Sequence, residues 1–216
     1  MLFRSGSLTP GHPEFGHTKG VETTTGPLGQ GIANAVGMAI AARYKQGILD
    51  PKNDFHSSIF AHNIWVICSD GDIQEGVSAE ASSLAGTQKL GNLVMLYDDN
   101  HISIEGDTGV SFTEDVLARY LAYGWNVDQV EMNKDGSIDI QGLNDAIARV
   151  VKVTDRPSII RVRNIIGWPA PKLQNTGKIH GSALGEEEVA ATKTALGIDP
   201  AKSFDVASEV IQHTRL

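Results

Sequence analysis

The sequence has a single cysteine, Cys68, no cluster of basic residues and no long apolar run. One cysteine excludes an internal disulfide, and its place inside an apolar stretch marks it as core rather than as a reactive thiol. A net charge of −8 without a basic patch argues against nucleic acid or an anionic membrane as partner. A membrane span needs roughly 18 apolar residues in a row, and no stretch approaches that. The opening MLFRSGSLTP is too short and too polar for a secretory leader, so the cytoplasm is the expected location. Two nucleotide signatures are also missing. GPLGQGIANAVG has Asn34 where a dinucleotide fingerprint needs its third glycine, and there is no GK[ST] of a P-loop. DGDIQEG lacks the bidentate glutamate of an EF-hand loop.

What is present fits one globular domain: 216 residues, 41% hydrophobic and 20% charged. Residues 1–27, rich in Gly, Thr and Pro, read as loop. From Leu28, apolar positions at Ile32, Ala35, Val36, Ala39 and Ile40 follow a helical period up to Gly47 and Pro51. Its small residues, Gly31, Ala33 and Gly37, suggest close packing and a possible interface. NIWVICSD (63–70) and NLVMLYDD (92–99) are continuous apolar runs of the kind buried parallel strands show. WNVDQVE (125–131) and SIIRVRNI (158–165) complete four strands. Between them lie predicted helices over 77–90, over 112–124 with Thr113 as cap, and over 139–153 with Leu143, Ile147 and Val150 on one face. A further helix begins near Glu186. Strand–helix alternation at these lengths predicts an α/β fold, an open, doubly wound parallel sheet forming a single domain. Ligands of such sheets bind at the carboxyl ends of the strands.

Two acidic turns fall at such ends. Asp70 closes one strand, and Asn100 follows the next one thirty positions later. A carboxylate and a carboxamide oxygen with a nearby carbonyl suit Mg²⁺, which completes its shell with phosphate oxygens and water. Gly71 allows close approach of a phosphate, and the helix beginning near Glu75 directs its N-terminus there. Asp98 and Asp99 add further acid, a crowding that only a cation would relieve. The plainer alternative makes Asp70 a helix cap and Asn100 a turn residue.

These residues carry a resemblance. PGHPEFGHTKGVETTTGPLGQGIANAVGMA, SDGDIQEGVSAEASSLAG, YDDNHISIEGDT and HGSALGEEE are similar to segments of transketolases. The likeness runs from about Ser7 to about Gly197; its one visible departure is Ser69, where the thiamine diphosphate signature opens with glycine. The resemblance implies thiamine diphosphate and Mg²⁺ (or Ca²⁺ in its place), with Asp70, Asn100 and the Ile102 carbonyl on the metal. It implies Gly71 and His180 at the diphosphate, Gly26 and Leu28 along the aminopyrimidine, His12 at the sugar donor and Glu75 in an acidic relay across a dimer interface. His12 and His180 have plain readings as turn residues, and His17, His56, His62, His101 and His213 receive no role.

The implied reaction moves a two-carbon unit from a ketose phosphate to an aldose phosphate, with a homodimer or a pyrimidine-domain chain as partner. The pyrimidine-binding and C-terminal domains, and part of the diphosphate-binding domain, would lie outside this chain. The chain is then expected to be inactive alone and to expose apolar surface on its sheet. A non-catalytic cofactor- or partner-binding fragment and a dihydroxyacetone synthase-like enzyme stay open as alternatives.

Overall fold

A computed structural model describes residues 8, 11–12, 14–24, 26–104 and 106–215. Four strands form one parallel sheet: β1 (Ile64–Ser69), β2 (Leu93–Asp99), β3 (Asn126–Val130) and β4 (Ser158–Arg163), in the spatial order β1-β2-β4-β3. The helices are α1 (Gln30–Leu49), α2 (Asp70–Gln74), α3 (Gly76–Thr87), α4 (Val116–Ala122), α5 (Ile140–Val150), α6 (Glu186–Ala195) and α7 (Ser208–Thr214). The described residues before Gln30 form neither helix nor strand, as expected. No helix among the described residues is long and apolar enough to cross a membrane.

Side-chain alternation along the strands builds a core on each face of the sheet. On one face Leu93, Met95, Tyr97, Cys68 and Ile159 pack with Ile32, Ala35, Val36 and Ala39 of α1, Ala85 of α3, and Val116 and Tyr120 of α4. On the other, Val94, Ile160, Val162 and Val130 pack under Ala146 and Val150 of α5, with Leu143 and Ile147 beside them. Trp125 anchors the first core. It is 2% exposed, its Nε1–H donates to the Ser82 carbonyl at 2.8 Å, and its ring stands edge-on to Tyr120 at 5.1 Å.

Several boundaries differ from the sequence pattern. α1 runs through Gly47 to Leu49, because the Asp50 amide closes the last turn on Gln46. Ile40 of α1 lies outside the core at 38% exposure; with Met38, Tyr44, Ile48 and Leu49 it leaves the helix with an apolar outer surface. The helix expected over 112–124 is only α4, capped by the Asp115 carboxylate on the Ala118 amide at 3.0 Å rather than by Thr113. β1 is an edge strand, not a strand buried on both sides. Its Trp65 and Ile67, in register with Val94 and Leu96, point to the face that α5 covers farther along, and are 43% and 74% exposed. Apolar surface on the sheet was the expectation, and here it is.

Replacing Trp125 by Ala removes a buried ring and its hydrogen bond to the Ser82 carbonyl, so it should cost about 3–5 kcal/mol. Urea denaturation checks this; a loss below about 1 kcal/mol would show that Trp125 is not the anchor of this core.

Candidate functional site

The site forms where β1 and β2, neighbours in register, both end. Asp70 is 1% exposed, and its carboxylate takes three hydrogen bonds. Tyr97 Oη donates to Oδ1 at 2.7 Å, and the backbone N–H groups of Asn100 and His101 donate to Oδ2 at 3.1 and 2.9 Å. His101 adopts a left-handed φ of 60°, a region sparsely populated by residues with side chains, and this turns two consecutive amides onto one oxygen. Burial raises the Asp70 carboxyl above its ordinary 3.8, the three donors pull it back, and the charge of Asp99 adds to the rise. Tyr97 is pushed up by its own burial and by its bond to Asp70. Burial, with the nearby acids, raises the Cys68 thiol as well, two residues before Asp70 and 2% exposed.

The crowded acids do not stand unpaired. Buried Asp99 meets Arg163 Nη1 and His101 Nε2, each at 3.1 Å, and Arg161 Nε at 3.7 Å. Asp98 Oδ1 accepts from Asn100 Nδ2 at 3.0 Å and from Asn164 Nδ2 at 2.6 Å. Protein donors therefore relieve the repulsion, which corrects the argument that only a bound cation could. Arg161, Arg163, Asn164 and Tyr97 were missed by the sequence reading. The alternation in SIIRVRNI was the available signal, because it sets both arginines on one face of a strand.

A second set of contacts brings the glycine-rich loop to this turn. Asp72 reaches from α2 to accept the Gly29 amide at 2.8 Å and the Ser69 amide at 3.0 Å. Ser69, in the place of the signature's first glycine, is thus the N-terminal cap residue of α2 and paired with Asp72. Gly29 has φ 78°, and a Cβ there would fall 2.7–2.9 Å from Ser78, Glu75 and Val77 side-chain atoms, so only glycine fits. Leu28 lies over Gly71, 3.1 Å from where a Cβ would stand, and the His12 ring is 3.4 Å from the equivalent point at Gly26.

Two cavities flank the turn. One, of about 320 Å³, is lined by Asn100, Ile102 and His180 together with Ile165, Ile166 and Trp168. The other, of about 370 Å³, is lined by Asp70, Tyr97, Asp99, His101 and Arg161. Asn100, Ile102 and His180 are thus brought to one cavity, whereas Asp70 faces its neighbour. Glu75 is exposed at the start of α3, and its role in a relay lies outside what one chain contains. Among the described residues no group of three or more His, Cys, Asp or Glu side chains could hold a metal ion; the expected donor set contains only one carboxylate.

A parallel α/β domain, with polar groups from five chain segments gathered at the carboxyl edge of its sheet, belongs to the ligand-binding class of such folds. The family described as the transketolase thiamine diphosphate binding domain matches residues 2–216, and the chain belongs to it. It is 61% identical to the transketolase of Mycobacterium leprae over 210 residues, which is 97% of this chain and 30% of that protein. Among solved structures, it resembles transketolase from Leishmania mexicana with a TM-score of 0.89 at 44% identity, over 98% of this chain and 31% of that one. It also resembles transketolase from Pichia stipitis in complex with sedoheptulose 7-phosphate, with a TM-score of 0.86 at 44% identity, over 97% and 30% of the two chains. The chain thus spans about 30% of the length of these relatives.

Asp70→Asn keeps the local pairing, since an amide oxygen can accept both N–H groups while its NH₂ donates to a reoriented Tyr97 hydroxyl. A raised folded-state pKa means that Asp70 favours the fold below 3.8 and that this contribution is lost as pH rises through the raised value. At pH 7 the ligand-free Asp70→Asn protein should melt a few degrees higher, at about 2–4 °C per kcal/mol. The advantage should vanish below about pH 3.8, where Asp70 is protonated folded or unfolded. Melting at the two pH values checks this; a lower midpoint at pH 7 contradicts it.

Proposed function

We propose that this chain supplies the metal–diphosphate half of a transketolase site. The whole enzyme would pass a two-carbon glycolaldehyde unit from a ketose phosphate to an aldose phosphate. The observation that carries the reading is the bond between the Asn100 amide and the Asp70 carboxylate where β1 and β2 end, with Ile102 and His180 lining the same cavity as Asn100, in a chain of this family. Sugar phosphates as substrates are supported by the sedoheptulose 7-phosphate complex of the Pichia stipitis relative.

The donors fit a hard divalent cation. Asp98 takes the NH₂ of Asn100, which leaves the carboxamide oxygen as the atom available to a metal; that oxygen already accepts the Ile102 amide at 2.9 Å and keeps a second lone pair. The Ile102 carbonyl accepts no hydrogen bond among the described residues. An ionised carboxylate offers about four acceptor positions, and Asp70 uses three. Asp70, Asn100 and the Ile102 carbonyl would hold Mg²⁺, or Ca²⁺ in its place, and the cation would compete with Tyr97 and two amides for Asp70.

Thiamine diphosphate, when bound, supplies the carbanion-stabilising chemistry. The protein's share is placement and charge. Gly71, packed against Leu28 beside Asp70, would present its backbone to a diphosphate oxygen, and His180 faces the same cavity as Asn100. Leu28, held beside Gly71, and Gly26 present an apolar edge for the aminopyrimidine. His12, exposed beside Gly26, would contact the sugar donor. The apolar outer surface of α1 and the exposed Glu75 support a second subunit, or a pyrimidine-domain chain, closing the site. A cytoplasmic location belongs to the same reading.

Titration calorimetry tests the metal half directly. Thiamine diphosphate should bind weakly with Mg²⁺ and show little heat without it, and Asn100→Ala should remove the difference. Equal heats with and without Mg²⁺ would refute the reading. The chain alone should show no two-carbon transfer in a coupled assay.

A further inference from the structure

We infer that Asp98 is a positioning residue for the cation: it fixes which end of the Asn100 carboxamide faces the site. This rests on the reading that Asn100 holds the metal. A carboxamide is nearly symmetric in shape, so packing alone scarcely distinguishes its oxygen from its NH₂. The two ends differ greatly to a cation, since one is a ligand and the other a pair of positive donors. Something must choose between them before the metal arrives.

Asp98 makes that choice. An ionised carboxylate only accepts hydrogen bonds, and Asp98 Oδ1 takes Nδ2 of Asn100 at 3.0 Å. Turned the other way, the carboxamide would set its oxygen against a carboxylate oxygen. It would also lose the Ile102 amide, which donates to Asn100 Oδ1 at 2.9 Å. Two opposed contacts, an acceptor on the nitrogen and a donor on the oxygen, thus hold one orientation. Asp98 is itself held by Asn164 from beyond the end of β4, whose Nδ2 donates to the same oxygen at 2.6 Å and to the Val162 carbonyl at 3.1 Å. Asp98 pairs with Val162 in the sheet, so this link ties the tips of two adjacent strands. Removing a partner that orients a metal ligand in this way typically costs about 10–100-fold in metal affinity.

The experiment is a Mg²⁺ titration at saturating thiamine diphosphate, read by cofactor binding, on the wild type, Asp98→Ala, Asp98→Asn, Asn164→Ala and Asn100→Ala. Asp98→Ala should raise the Mg²⁺ midpoint about 10–100-fold, with full binding recovered in excess Mg²⁺. Asp98→Asn keeps an acceptor oxygen and should fall between Asp98→Ala and the wild type, which keeps the test alive should the alanine variant fail to fold. Asn164→Ala breaks the cross-strand link but leaves Asn100 its acceptor, so its midpoint should stay near the wild type. An Asp98→Asn midpoint equal to the wild type overturns the inference, as does Asn164→Ala weakening Mg²⁺ as much as Asp98→Ala, since the effect would then be strand-tip stability. If Asn100→Ala loses Mg²⁺ dependence while both Asp98 variants keep the wild-type midpoint, only the inference falls. If the wild type shows no Mg²⁺ dependence, the metal reading falls first and takes the inference with it.

Discussion

The structure turns on one buried carboxylate. Asp70 follows β1 as the first residue of α2, and its bonds to Tyr97 of β2 and to two amides just beyond β2 lock the two strand tips together. Three donors on an ionised group offset much of what its burial costs, and what remains shows in its raised pKa. A site assembled this way carries unfavourable charge energy when empty. A cation at the same tips would relieve part of it, so metal affinity and ligand-free stability would be set against each other at one residue.

A second carboxylate, Asp72, does for the loops what Asp70 does for the strands. By accepting amides from both Gly29 and Ser69, it seats the start of α1 against the β1 turn, and that brings Leu28 over Gly71. Residues forty positions apart in the chain thereby share a wall. The start of α3 and the residue before it leave no room for a side chain at Gly29, so this close approach of the loop needs glycine.

Much of this was legible in the chain. The four strands, the helical period of α5 and the placing of Asp70 and Asn100 just past adjoining strand ends follow from local pattern and from the geometry of parallel sheets. What was hidden depends on strand order. Nothing local in SIIRVRNI says that β4 inserts between β2 and β3, yet that insertion brings Arg161, Arg163 and Asn164 to the acids of β2. Without it, the acidic turns look unpaired and seem to demand a metal. β1 misled in the opposite sense: Ile67 belongs to an apolar run but faces open surface, because α5 covers that face only away from the β1 edge. The cap of α4 went astray because Thr113 and Asp115 are both competent, and only the start of the helix decides between them.

The solitary sulfhydryl has a use that its burial confers. Cys68 sits under α1 on the strand that delivers Asp70, and alkylation requires an accessible thiolate. Burial and the neighbouring acids suppress that form, so a thiol reagent can attack only when the β1 tip swings free of its packing. Its rate of modification is therefore a clock for the breathing of this edge of the sheet, readable without any added label.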